Sequence, residues 1–257
     1  MITITNTKIA GFEPQWAPFR GFSLLFDNPG QSLSPMSEEW LKVDCSPGEN
    51  QDLQLYRSFA EFLDEIGRLE LTNTYLFCPL PPYSYHVTAW DGLNDGNAQD
   101  VSARYRSRLG IFLENLPSSL LTDQEFTGDI QGSPLVTNMD RSITFKFDKL
   151  AKWGNRVLVA RLRPADQDSA KELDRFVTDR QALSANFQER FGVQMHSDYS
   201  PHVTLGYFAN EEHAELATPQ LARWNESAQK KISHLTVTFS RVNLYGFTDM
   251  VTFFKKA

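Results

Sequence analysis

One six-residue phrase occurs twice in the chain. Tyr83-Ser84-Tyr85-His86-Val87-Thr88 returns as Tyr199-Ser200-Pro201-His202-Val203-Thr204, identical at five of six positions. One copy lies in each half, which points to two similar lobes sharing one cleft. Strand side chains alternate between faces, so His86 and Thr88 are expected on one side of their strand with Val87 on the other. His202, Thr204 and Val203 repeat that arrangement. Two such strands side by side would bring two imidazoles and two hydroxyls to a common site, each strand anchored by a valine.

The surrounding pattern alternates strands with helices. Phe22 to Phe26 reads as a buried strand, and Asn28 to Pro47, rich in Ser, Pro and Gly, as a long loop. Phe59, Phe62, Leu63 and Ile66 give Leu53 to Leu69 helical spacing. Asn73 to Leu80 is the next expected strand, ended by Pro81-Pro82, and each His-x-Thr unit is read as a short strand. Ala103 to Leu116 is helical in spacing, whereas Thr122 to Arg141 shows little periodicity and serves as the crossing. Ser142 to Asp148 and Val157 to Arg163 form a hairpin around Gly154-Asn155. Asp166 caps a helix from about Gln167 to Arg190, with Gly192 at its end. A further helical stretch, Glu211 to Lys230, is interrupted at Pro219. Leu235 to Phe239 and Met250 to Phe254 read as strands around a region containing Gly246. The expected fold class is α+β and bilobal, with a small antiparallel sheet and flanking helices in each lobe. Residues 1–257 form one such unit, its lobes running from about 19 to 125 and from about 140 to 257.

Composition narrows the function. A hydrophobic fraction of 41% supplies a core, and a net charge of −7 disfavours long nucleic acid, which needs basic surface. Small anionic ligands in a local pocket stay compatible with it. Cys45 and Cys78 read as free thiols in a reducing compartment. No signal-peptide pattern and no apolar run of the 18 or so residues needed to span a bilayer is visible, so the expected location is cytoplasmic. Walker A, Gly-x-Gly-x-x-Gly, Gly-x-Ser-x-Gly, His-Glu-x-x-His and Cys-x-x-Cys motifs are absent from the sequence.

Two histidines with two threonines suit cleavage of a phosphodiester without a metal or other cofactor. A neutral imidazole takes a proton from the nucleophile and an imidazolium protonates the leaving oxygen. Histidine has the side chain whose ordinary pKa, about 6.5, allows both forms near neutrality. Threonine hydroxyls can donate to non-bridging oxygens as charge builds up. Tyr85, Trp90, Tyr199 and Tyr207, with Tyr83, surround the motifs and are candidates to stack on a base, a contact worth about 1–3 kcal/mol. Ordinary packing is the competing role for each. Lys146 and Arg161 lie on strands beside the expected cleft. Asp91 and Asp95 precede glycines and read as turn formers. His196, His213 and His234 are read as loop or surface residues.

The motif pair resembles the 2H phosphoesterases, a family named for two His-x-Thr/Ser motifs. Leu80-Pro81-Pro82-Tyr83-Ser84-Tyr85-His86-Val87-Thr88-Ala89-Trp90-Asp91-Gly92 is similar to a little-characterised branch of it. So is Arg163-Pro164-Ala165-Asp166 before a long helix. The resemblance implies a bilobal α+β fold with a central cleft and metal-independent opening of cyclic phosphates. It makes His86 and His202 the catalytic pair and Thr88 and Thr204 the phosphate ligands. The expected substrate is a small nucleotide or short oligonucleotide, a 2′,3′-cyclic phosphate opened to a 2′-phosphate. We read His202 as base and His86 as acid; motif symmetry permits the reverse. The alternatives are a non-catalytic module binding a cyclic nucleotide or phosphometabolite, or an enzyme acting on a cyclic oligonucleotide or ADP-ribose 1″,2″-cyclic phosphate. No membrane partner is expected, and oligomeric state is left open.

Overall fold

Gly21–Phe26 forms strand β1, and all six of its residues are buried. A strand apolar on both faces belongs inside a covered sheet. The computed structural model, which describes residues 3–11, 15–46, 50–154, 156–195 and 198–257, gives β1 an antiparallel neighbour on each edge. Strands β2 (Leu33–Pro35) and β3 (Trp40–Val43) follow it, then helices α1 (Gln54–Ile66) and α2 (Arg68–Tyr75). Next come β4 (Phe77–Pro79), β5 (Thr88–Asn94) and helices α3 (Ala103–Glu114), α4 (Ser119–Thr122), α5 (Gln124–Gln131) and α6 (Pro134–Thr137). The hairpin β6 (Ile143–Trp153) and β7 (Val157–Pro164) leads into α7 (Gln167–Phe191). The chain ends with β8 (His202–Phe208), α8 (Glu211–Leu216), α9 (Leu221–Ile232), β9 (Thr236–Phe239), β10 (Val242–Phe247) and β11 (Phe253–Lys256).

The fold is α+β with two antiparallel sheets. Their orders are β2-β3-β11-β10-β1-β5 and β4-β8-β7-β6-β9. Neither sheet is confined to one half of the sequence: β4 edges the second sheet, and β10 and β11 complete the first. Phe26 of β1 meets Phe145 and Phe239 of the second sheet at ring separations of 6.0 and 5.1 Å, and Phe176 of α7 at 5.1 Å. This aromatic cluster joins the two sheets to the long helix. Asp166 caps α7 by accepting from the Ser169 amide at 2.7 Å, and Gly192 ends it at φ +76°, as the sequence indicates. No helix among the described residues is long and apolar enough to cross a membrane.

Several local expectations are corrected. The stretch from Asn28 to Pro47 contains β2 and β3, because β3 pairs with β11 more than two hundred residues away (Phe254↔Lys42) and Trp40 packs edge-on against Phe254. Pairing at that separation leaves no local trace. The region with Gly246 is itself strand β10, for the same reason. The crossing from Thr122 to Arg141 carries the two helices α5 and α6, too short for periodicity to register. The first long helix breaks at Gly67, φ +102°, so α2 occupies the start of the stretch from Asn73 to Leu80. The first His-x-Thr unit enters its strand only at Thr88. Asn155 of the hairpin turn lies outside the described residues.

Candidate active site

Val87 and Val203 form an antiparallel bridge, and both are fully buried. Paired residues in an antiparallel ladder share a face, and their sequence neighbours occupy the other. His86, Thr88, His202 and Thr204 therefore come to one common face, and all four are half-buried. The register sets each histidine across from the other motif's threonine. Backbone contacts hold the arrangement: the Tyr199 hydroxyl donates to Thr88 O at 2.9 Å, and Phe26 N donates to Val87 O at 3.0 Å. Asn28 Nδ2 donates to Tyr85 O at 2.9 Å, and Leu162 N to Pro201 O at 2.8 Å.

The two imidazoles are fixed alike. His86 Nδ1 lies 2.8 Å from Ser84 O, and His202 Nδ1 lies 2.9 Å from Ser200 O. A carbonyl only accepts, so Nδ1 carries the proton in both rings and Nε2 is free of that bond. Each ring also rests against an aromatic: His86 against Phe253 at 4.1 Å and His202 against Trp153 at 4.2 Å between centroids.

Burial lowers both histidine pKa values. That of His86 falls to about 4; the Ser84 carbonyl and Asp91 oppose the shift, while the charges of His202 and Lys8 add to it. That of His202 also falls, with the Ser200 carbonyl and Asp91 opposing and Lys8 and Arg161 adding. Without an anion, both imidazoles are neutral at pH 7. A phosphate bound between them would favour protonation through its opposite charge.

Lys8 is a contributor that the sequence reading missed. The segment before β1 is tied to the end of β8 through Thr5 N and Asn6 N, both donating to Ala209 O, and to the first sheet through Phe19 N and Thr248 O. It spans the two sheets and lays Lys8 Nζ over the Phe19 and Tyr207 rings, 4.9 and 5.2 Å from their centroids. Trp16 and Phe19 are the signal that this stretch packs; no motif marks the lysine. Arg161 sits beside His202 by register, its Nε 4.0 Å from Asp148 Oδ2. Lys146 Nζ is committed to Ala165 O at 3.1 Å.

The aromatic residues fare unequally. Trp90 is fully buried, its Nε1 donating to Ser184 Oγ at 3.0 Å. A bulge explains it: Thr88 pairs with Leu25 but Trp90 with the adjacent Leu24, so the two residues of β5 face opposite ways. Tyr85 is buried as well. Neither is placed to stack on a base. Tyr207 is buried beneath Lys8, its hydroxyl 3.2 Å from Met250 Sδ. Tyr199 is half-buried and packs on Phe176. The rings in contact with the imidazoles are Phe253 and Trp153.

Asp91 lies within β5, exposed, 3.9 Å from Arg180 Nη2, which corrects its reading as a turn former. Asp95 does shape the turn beyond, accepting from Arg20 N at 2.7 Å. His213 belongs to the α8 cap, with Nδ1 2.8 Å from Asn210 Oδ1, and His234 is exposed. His196 lies outside the described residues. Among the described residues, no three His, Cys, Asp or Glu side chains cluster as a metal site.

No family model and no curated protein matches the chain. Among solved structures it is similar to the conserved protein of unknown function ATU0111 from Agrobacterium tumefaciens str. C58. Identity is 14% over 98% of this chain and 90% of that one, with a TM-score of 0.55. It also matches E. coli LigT complexed with 3′-AMP at 12% identity over 93% and 95% of the two chains, with a TM-score of 0.43. The first likeness shows a shared fold.

Proposed function

We propose that the chain is a phosphodiesterase of the 2H type, opening a cyclic phosphodiester in a nucleotide or short oligonucleotide. The observation that carries this reading is the matched pair of imidazoles on a shared face, each with Nδ1–H held by the carbonyl two residues back and Nε2 free of that bond. Binding alone has no need of two titratable groups so fixed. The favoured reaction is hydrolysis of a 2′,3′-cyclic phosphate to a 2′-phosphate.

In this mechanism the phosphate lies between the motifs, with the Thr88 and Thr204 hydroxyls donating to its non-bridging oxygens. His202 Nε2 takes a proton from water as the water oxygen bonds to phosphorus. The bond from phosphorus to O3′ breaks, and His86 gives its proton to that oxygen. The anion itself supplies the field that keeps His86 protonated against its buried surroundings. Lys8 and Arg161 add positive charge at the cleft, compatible with an anionic substrate despite the net charge of −7.

The test is a panel of 2′,3′-cyclic, 3′,5′-cyclic and cyclic oligonucleotide substrates in EDTA, read by phosphorus NMR, with His202→Ala in parallel. Turnover by the wild type and its loss in the variant support the reading, and the product resonance identifies the bond cut. Ligand binding with no turnover across the panel would favour the binding-module alternative.

A further inference from the structure

Beside Tyr85, which precedes His86, lies a cavity of about 360 Å³. That volume falls within the range of small-molecule pockets, roughly 300–1,000 Å³. Leu63 of α1 and Pro79, Leu80 and Pro82 wall it, and none of the four motif side chains lines it. Its rim carries the Arg68–Asp64 ion pair and Leu69, which is 76% exposed. Tyr85 is among the residues that line it.

Tyr85 is the unusual member. It is 1% exposed, yet its hydroxyl has no hydrogen-bond partner among the described residues. Burial pushes its pKa up, so it stays a neutral phenol and a donor. A buried hydroxyl without a partner is destabilising, and an acceptor that reached it would relieve that cost. The same residue's carbonyl accepts from Asn28 Nδ2 at 2.9 Å, and His86 follows directly in the chain. Tyr56 packs edge-on against the Tyr85 ring and donates to Asn28 Oδ1 at 2.8 Å. What presses on the ring therefore acts on the backbone that sets His86.

We infer that this cavity is an effector site for a small, flat, mainly apolar molecule with one hydrogen-bond acceptor, which takes the Tyr85 hydroxyl and shifts the His86 segment. The inference stands apart from the proposed chemistry, since its test needs no turnover. Acetophenone, a ring bearing one carbonyl, is titrated into protein with carbon-13-labelled leucine methyls and histidine rings. Ethylbenzene, which lacks the acceptor, is the control.

The expected result is a saturable shift of the Leu63 and Leu80 methyls and of the His86 ring, while His202 moves less. Acetophenone should bind about 2- to 10-fold tighter than ethylbenzene, and that preference should vanish in Tyr85→Phe. Ala60 also lines the cavity, and filling it with Ala60→Phe should abolish the methyl shifts; the two-ligand comparison decides the matter should that variant misfold. Absence of saturable shifts at Leu63 and Leu80 overturns the site. An equal preference in Tyr85→Phe overturns the role of the hydroxyl, and a stationary His86 resonance overturns the coupling.

Discussion

The two His-x-Thr units are alike in hydrogen bonding and unlike in setting. Each histidine donates Nδ1–H to a carbonyl two residues back, and each motif buries its valine in the bridge. His202, however, opens β8, inside its sheet with Arg161 opposite, whereas His86 precedes β5 at the sheet margin and rests on Phe253. The shared part is short-range and follows from the repeated sequence. The differing part is the charge nearby, supplied by other strands. The comparison teaches that local sequence sets ring orientation in this cleft, while tertiary neighbours set acidity.

The largest effect that tests the pairing is loss of either ring. His86→Ala and His202→Ala are each expected to lower kcat by about 10²- to 10⁴-fold on a 2′,3′-cyclic nucleotide in EDTA. The double variant should be little worse than the worse single one, because groups acting as a unit are not additive. Multiplicative losses in steady-state kinetics would mean that the two rings act independently. Next in size are the hydroxyls. Thr88→Val and Thr204→Val should each cost up to about 10²-fold in kcat, as for removal of one transition-state donor. Losses confined to KM would show ground-state binding only.

The asymmetry of charge gives a smaller, sharper test. Arg161→Gln removes a cation that lowers the His202 pKa and should raise it, leaving His86 nearly unmoved. Lys8→Met should raise both, since its charge lowers both. Proton NMR titration of the two rings separates the variants. Equal shifts of both rings in Arg161→Gln would erase the distinction between the lobes. The basic limb of kcat/KM, which reports a group that must be protonated in the free enzyme, should move up in Lys8→Met.

How much of this was legible in the sequence depends on the range of the interaction. Alternation within a six-residue phrase gave the common face of His86, Thr88, His202 and Thr204. Capping chemistry gave α7 through Asp166 and Gly192, both signals within one turn of the helix end. Trp90, read as a candidate to stack on a base, is instead buried because a bulge set by pairing with β1 turns it to the face opposite Thr88. β3 and β10 were hidden because their partners lie far along the chain or follow no short turn. Lys8 was hidden for a related reason: a polar stretch near the start of the chain acquires its place only by bridging two sheets. The Tyr85 cavity left no mark, since its walls come from separate elements.

The smallest effect concerns stability, and it too separates the lobes. The folded pKa of His86 is about 4, below the ordinary value near 6.5 of an unfolded chain. Between those values the unfolded state binds the proton more readily. The stability tied to neutral His86 is therefore complete above about pH 6.5 and is lost as pH falls towards 4. His86→Gln, which cannot titrate, should unfold in urea with a shallower decline in midpoint across that window than the wild type. His202→Gln should also flatten the curve, since its folded pKa is lowered too, and Arg161→Gln should flatten only the share that belongs to His202. Parallel wild-type and His86→Gln curves from pH 6.5 to 4 would mean that His86 is not held neutral by its surroundings. The matched hydrogen bonds of the two motifs would then have to hold the rings without help from burial.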